Sequence, residues 1–187
     1  MSWAASFGSD ERVRLFCALR VPDPARDALV DWQQRVFGGV ADTRPVPREN
    51  LHVTLAFLGH RPSGELEAIV GALRAASVAA EPPRLTVRGY RETRAVGMLT
   101  CDDEGGRAAA LALDLQERLE ALGVHERERR RWLPHVTVLR FRRRPRLQPA
   151  LPALGPFVTS DAAAYLSRLR PGGARYEVLE SVEVGGR

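Results

Sequence analysis

The chain has 187 residues, with 28 basic and 23 acidic side chains and a formal net charge of +5, a length that suits one compact domain or two closely packed lobes. No apolar run approaches the ~18 residues of a membrane span, and the first residues lack the basic-then-apolar layout of a signal peptide, so cytoplasm is the expected location and no membrane contact is expected. The only cysteines, Cys17 and Cys101, lie far apart in strand-like segments, which argues against a disulfide framework or a cysteine metal site.

Residues 1–11 are expected to be a mobile N-terminus. Val13–Leu19 then reads as a strand. Asp23 suits an N-cap and Pro24 the first turn of a helix whose Leu29, Trp32 and Val36 share a face and which stops at Gly38-Gly39. A strand containing His52-Val53-Thr54 ends at Gly59-His60-Arg61-Pro62, and Ser63 is the expected cap of a second helix with Leu66, Ile69, Val70 and Leu73 at helical spacing. After Pro82-Pro83 come two strands, Arg84–Tyr90 and Ala95–Cys101. A third helix runs from about Gly106 to Leu122 with Leu111, Leu115, Leu119 and Leu122 inward and Gly123 as its stop. A strand containing His135-Val136-Thr137 follows, then a proline-rich loop from Pro145 to Pro156. Ala162–Arg168 and Tyr176–Val184 close the chain as a hairpin around Pro171-Gly172-Gly173.

The repeated His-Val-Thr carries the most information. Both copies sit in apolar, β-branched runs, and side chains alternate along a strand, so His52 shares a face with Thr54 and His135 with Thr137. A single histidine in a strand is most often a packed or surface residue. Two matched imidazole–hydroxyl pairs are harder to explain that way, because each polar group left unpaired in apolar surroundings costs about 1–3 kcal/mol. The similar order of elements before each copy implies duplication: an α+β fold of two halves about a pseudo-twofold axis, with the motif strands meeting at one cleft. Positive charge brackets the second motif, at Arg127, Arg129, Arg130 and Arg131 before it and Arg140, Arg142, Arg143, Arg144 and Arg146 after it. Every basic residue is an arginine, which also looks like compositional bias, and a solvated loop face accounts for such runs as readily as an anionic ligand does.

The segments RLFCALRVP, ENLHVTLAFLG and PHVTVLR, with Tyr165-Leu166-Ser167 and Gly173-Ala174-Arg175-Tyr176-Glu177 near the end, resemble the 2H phosphoesterase superfamily. The branch they are most similar to is the RNA 2',3'-cyclic phosphodiesterase, or 2'-5' RNA ligase, family. Val138-Leu139 departs from the usual pair in the second motif but leaves the His, Thr and Arg positions filled. The resemblance spans most of the chain. It implies a single bilobal unit over residues 1–187, α+β, with two antiparallel sheets facing a central cleft and helices outside. It also implies metal-independent opening of a cyclic phosphate, with His52 and His135 as the acid–base pair and Thr54, Thr137 and Arg140 as substrate contacts. Strict alternation from His135 turns Arg140 to the opposite face, so a bulge or strand end is required for it to reach the phosphate.

Opening a 2',3'-cyclic phosphate with water needs a base for the nucleophile and an acid for the departing ribose oxygen. Imidazoles near pKa 6.5 can supply both, while threonine hydroxyls donate to the non-bridging oxygens. The expected assignment has His135 activating water and His52 protonating the 3'-oxygen, to leave a 2'-phosphate, and the near symmetry of the motifs allows the reverse. No metal and no cofactor are expected: no cluster with ligand spacing accompanies the histidines, and Gly105-Gly106 lacks the pattern of a nucleotide loop. Expected partners are RNA with 2',3'-cyclic phosphate ends or cyclic nucleotides, acted on by a monomer. The alternatives are 2'-5' joining of RNA halves on the same fold, or a non-catalytic basic module that binds RNA ends with Phe57, Trp132 and Phe141 as stacking residues. Alternation directs Phe57 away from His52 and toward core packing.

Overall fold

A computed structural model of the chain describes residues 11–126, 131–170 and 173–186. Among these residues three α-helices and nine strands follow in the order β1 (Arg12–Arg20), α1 (Asp23–Phe37), β2 (Thr43–Pro45), β3 (His52–Pro62), α2 (Leu66–Ala79), β4 (Arg84–Glu92), β5 (Val96–Asp103), α3 (Arg107–Ala121), β6 (His135–Phe141), β7 (Phe157–Val158), β8 (Asp161–Arg170) and β9 (Gly173–Glu183). The expected elements are all present. β2 and β7 are additions to them, because strands of three and two residues are too short to carry an alternation signal. Of the expected mobile stretch 1–11, only Glu11 lies within the described residues. Arg127, Arg129 and Arg130, and the turn residues Pro171 and Gly172, lie outside them.

Helix ends depart from the expected caps. Asp23 is the first helical residue of α1, and Pro22 holds the cap position in extended conformation with no side-chain cap bond. The Asp23 carboxylate is held instead by Arg26 and, at 2.7 Å, by Arg48. Ser63 belongs to a 3-10 turn, Ser63–Glu65, that leads into α2, so Glu65 takes the cap position. At the start of α3 the Asp103 carboxylate accepts the N–H groups of Ala108 and Ala109 at 3.0 and 2.9 Å, satisfying donors of the first turn from the end of the preceding strand. Gly123, at φ 70°, ends α3 as expected. Leu122 lies beyond the last helical residue and is exposed rather than inward.

The sheet runs β7-β4-β5-β6-β3-β1-β8-β9, with β2 added to β6, and every pairing is antiparallel. Its two ends are pseudosymmetric. β1-α1-β3 in one arm matches β5-α3-β6 in the other, with the strands that flank each helix paired to one another. The expected two sheets are arms of one curled sheet, and β3 and β6 join them through a single residue pair, Val53 with Val136. Val53, Leu55, Val136 and Val138 are buried in the core with Leu66, Ile69 and Leu73 of α2 and Leu111, Leu115 and Leu119 of α3. Each such side chain contributes roughly 1.5–3 kcal/mol when fully buried. With the valines turned inward, the motif histidines and threonines are turned outward, onto the opposite face.

Candidate active site

Antiparallel register about the Val53–Val136 pair sets His52 across from Thr137, and Thr54 across from His135. The two motifs therefore meet head to tail at the pseudo-twofold axis. Each ring is held the same way. His52 Nδ1 lies 2.7 Å from the Asn50 carbonyl, and His135 Nδ1 lies 2.8 Å from the Leu133 carbonyl, two residues earlier in each case. A carbonyl only accepts, so Nδ1 carries the proton in both rings and Nε2 is the acceptor nitrogen of each ring when it is neutral. His52 Nε2 is 3.1 Å from Thr54 Oγ1, which donates to it when the ring is neutral. Burial pushes the His52 pKa down to about 4; the Asn50 carbonyl opposes this, and the nearby charges of His135 and Arg140 add to the depression.

Beyond the threonine, both motif strands bulge at the same place. In the β1–β3 ladder Leu55 is skipped between the pairs of Thr54 and Ala56, and in the β5–β6 ladder Val138 is skipped between the pairs of Thr137 and Leu139. Each skipped residue lies three positions after its histidine. A bulge resets the alternation, and the burial pattern from His52 to Leu58 is repeated residue for residue from His135 to Phe141. Arg140 consequently returns to the cleft side, meeting the condition that the sequence set for it. Phe57, five residues after His52 as Arg140 is after His135, is also on the cleft side and 50% exposed, so the expectation of core packing for Phe57 is corrected. The bulge carbonyls are capped from the helices. Gln116 of α3 donates to Leu55 O at 2.7 Å, and the buried Gln33 of α1 donates to Val138 O at 2.6 Å.

These residues line a cavity of about 690 Å³ with His52, Thr54, Thr137 and Arg140 in its wall, a size in the range of small-molecule sites. His135 is not part of that wall; it sits beside it, on the Thr137 face of β6, partly exposed. Phe16 of β1 packs on His52 with ring centroids 4.8 Å apart, and Tyr176 of β9 stands edge-on to it at 5.5 Å. The Tyr176 hydroxyl also accepts from Arg140 at 3.4 Å, linking the outer strand of one arm to the motif of the other. Trp132 is no stacking platform: its indole N–H donates to the Thr54 carbonyl at 3.0 Å, and it packs against the core. Phe141 is buried apart from an edge at the cavity wall.

Among the described arginines that flank the second motif, Arg140 and Arg142 reach the cavity, while Arg144 is paired with the buried Glu92. Arg14 and Arg44 also line it, and sequence reasoning did not single them out. Arg14 was detectable, since alternation along β1 puts it on the face of Phe16; it lies over the Phe57 ring at 4.8 Å and donates to Ser167 Oγ at 2.7 Å. Among the described residues no three His, Cys, Asp or Glu side chains cluster in a way that could hold a metal ion, and no helix is long and apolar enough to cross a membrane.

A curled antiparallel sheet with two inverted His-x-Thr strands at its centre defines a phosphoesterase class, and comparison with known proteins agrees. Residues 19–91 match the family described as LigT like Phosphoesterase. The chain is 33% identical to the RNA 2',3'-cyclic phosphodiesterase of Thermus thermophilus, an alignment that covers 93% of this chain and 91% of the relative. Among solved structures it is similar to TT0787 of the same organism, with a TM-score of 0.79 and 29% identity over 92% of this chain and 98% of that one. It is also similar to Escherichia coli LigT complexed with 3'-AMP, with a TM-score of 0.76 and 25% identity over 94% and 99% of the two chains. The chain belongs to the LigT-like phosphoesterases of the 2H superfamily.

Proposed function

We propose that the protein hydrolyses 2',3'-cyclic phosphate termini of RNA, or nucleoside 2',3'-cyclic phosphates, to 2'-phosphates without a metal ion. The observation that carries this reading is the inverted pairing of the two motifs, which brings both His-Val-Thr strands side by side with each ring's Nδ1 held by a carbonyl two residues earlier. The names of its relatives, and the binding of 3'-AMP by a similar structure, support a nucleotide substrate.

The low pKa of His52 favours the reverse of the expected roles. Burial holds the ring neutral near pH 7, its pKa pushed down to about 4, and a neutral imidazole can accept a proton but not donate one from Nε2. His52 Nε2 takes a proton from water as the water oxygen attacks phosphorus. The P–O3' bond breaks, and His135 Nε2–H delivers the proton to the 3'-oxygen. Thr137, Arg140 and Thr54, whose single hydroxyl proton turns from His52 Nε2 to the substrate and so frees that nitrogen for water, donate to the non-bridging oxygens, where charge builds in the transition state.

The test is incubation with a nucleoside 2',3'-cyclic phosphate in the presence of a chelator, followed by separation of 2'- from 3'-phosphate. Wild-type protein should yield the 2'-phosphate alone, and either His→Ala variant should slow turnover by about 10²–10⁴-fold while remaining folded. Unchanged turnover in both variants would make the histidines structural and end this reading.

A further inference from the structure

The cavity holds more positive charge than one cyclic phosphate can match, and the excess sits on a single patch. Arg44 of β2 pairs directly across the ladder from Arg140 of β6. Like charges in direct cross-strand opposition destabilise a sheet, and proteins ordinarily relieve them with a carboxylate. None is supplied here: among the described residues Arg44 and Arg142 make no ion pair, and Arg140 bonds only to the Tyr176 hydroxyl. Arg142 lies two residues beyond Arg140, with buried Phe141 between them, so alternation returns it to the cavity side, and all three arginines line the wall. Arg61, Arg74, Arg107 and Arg118, by contrast, each hold a carboxylate within 3.0 Å, and what sets the cavity arginines apart from other unpaired ones is that three of them share one wall, two in direct cross-strand opposition. Among the described residues Asp42 is the only carboxylate in the cavity wall, and it pairs with none of the three. A cyclic phosphate diester brings a single negative charge. Set against Asp42 and that monoanion, Arg14, Arg44, Arg140 and Arg142 leave a surplus of two positive charges.

We infer that Arg44 and Arg142 form a second anion subsite beside Arg140, which holds the phosphate on the 5' oxygen of the terminal ribose. This rests on the hydrolase reading above, since in a ligand whose terminal phosphate lies between the histidines the nearest other phosphate is the one on that 5' oxygen. The subsite accepts a doubly negative ligand and selects against a bare nucleoside cyclic phosphate. Two sources share this chemistry: a free 5'-phosphate on a mononucleotide, and the internucleotide diester of an RNA strand.

The experiment measures calorimetric affinities of three probes, a nucleoside 2'-phosphate, the same nucleoside 2',5'-bisphosphate, and a ribotrinucleotide ending in a 2'-phosphate. Wild-type protein should prefer at least one two-phosphate probe by about tenfold, the scale of a charge-assisted hydrogen bond. In Arg44→Gln and Arg142→Gln that preference should shrink toward one, and the slope of log affinity against log salt should fall by about one for the favoured probe. Arg44→Lys should restore part of it. Preference for the bisphosphate as well as the trinucleotide identifies a 5'-phosphate site, and preference for the trinucleotide alone identifies the diester. A wild type without preference overturns the inference, as does an equal loss for all three probes or no loss at all in the variants. Failure of the wild type to turn over any cyclic phosphate, with the two-phosphate preference intact, would sink the hydrolase reading and leave the subsite standing.

Discussion

Gln33 and Gln116 are counterparts across the pseudo-twofold axis, each donating from a helix to the carbonyl of the bulged residue three positions past a motif histidine. The helices are exchanged. α1, which precedes the first motif, caps the bulge of the second, and α3, which precedes the second motif, caps the bulge of the first. Each bulge re-aims the side chain two residues further on, Phe57 in one strand and Arg140 in the other. Replacing the buried Gln33 by leucine removes its hydrogen bonds to the Val138 and Val46 carbonyls, leaving Val138 O with only the Val46 N–H, and should cost about 1–3 kcal/mol of stability. It should also lower kcat/KM for a cyclic phosphate more than Gln116→Leu does, because the residue it misdirects is the cation. Denaturant melts and steady-state kinetics on both variants check this.

The pH dependence of kcat/KM follows from His52. A base must be unprotonated to act, so the rate should rise with pH through about 4, the pKa that burial imposes on this ring in the free protein. The profile as a whole should be bell-shaped, since the partner must carry a proton. An acid limb centred near 6.5, with nothing near 4, would return His52 to the role of acid.

Stability should respond to the same ring. An unfolded histidine titrates near 6.5, whereas folded His52 titrates near 4. Above 6.5 the ring is neutral in both states and its contribution is complete. As pH falls from about 6.5 to 4 the unfolded chain takes up the proton first, so stability declines, by at most ~3 kcal/mol from this group, and levels off below 4. His52→Gln should lose less stability than wild type between pH 7 and pH 4.5 in chemical denaturation, and parallel losses would contradict the assignment.

Tyr176 offers a separate readout of Arg140. Its ring packs edge-on to His52 and its hydroxyl accepts from Arg140. Tyr176→Phe keeps the packing and removes only a long hydrogen bond from an exposed arginine, so KM should change by a few-fold at most. Tyr176→Ala also uncovers His52, raises its pKa toward the ordinary value, and should shift the acid limb of the rate profile upward. A limb that stays in place would show that Tyr176 contributes nothing to the burial of that ring.

The motifs themselves were legible without coordinates, because period-two alternation around each His-Val-Thr states which side chains share a face, and because the helical stripes of α2 and α3 are set by local spacing. Duplication was legible for the same reason. Alternation failed where the ladder slips: a bulge depends on the neighbouring strand's register and on a glutamine from a distant helix, and neither leaves a trace in Leu55 or Val138. The sequence therefore misplaced Phe57 and could only make the placement of Arg140 conditional. Arg44 was hidden in a three-residue strand too short to show a period. The opposition of Arg44 to Arg140, the edge of Tyr176 against His52, and the depressed pKa of His52 all arise from residues remote in the chain. Sequence alone determined which groups could act and which face of each strand they occupy, since both follow from local geometry. Tertiary structure decided which of them meet, and in what ionisation state, because desolvation and charge proximity exist only once distant segments are packed together.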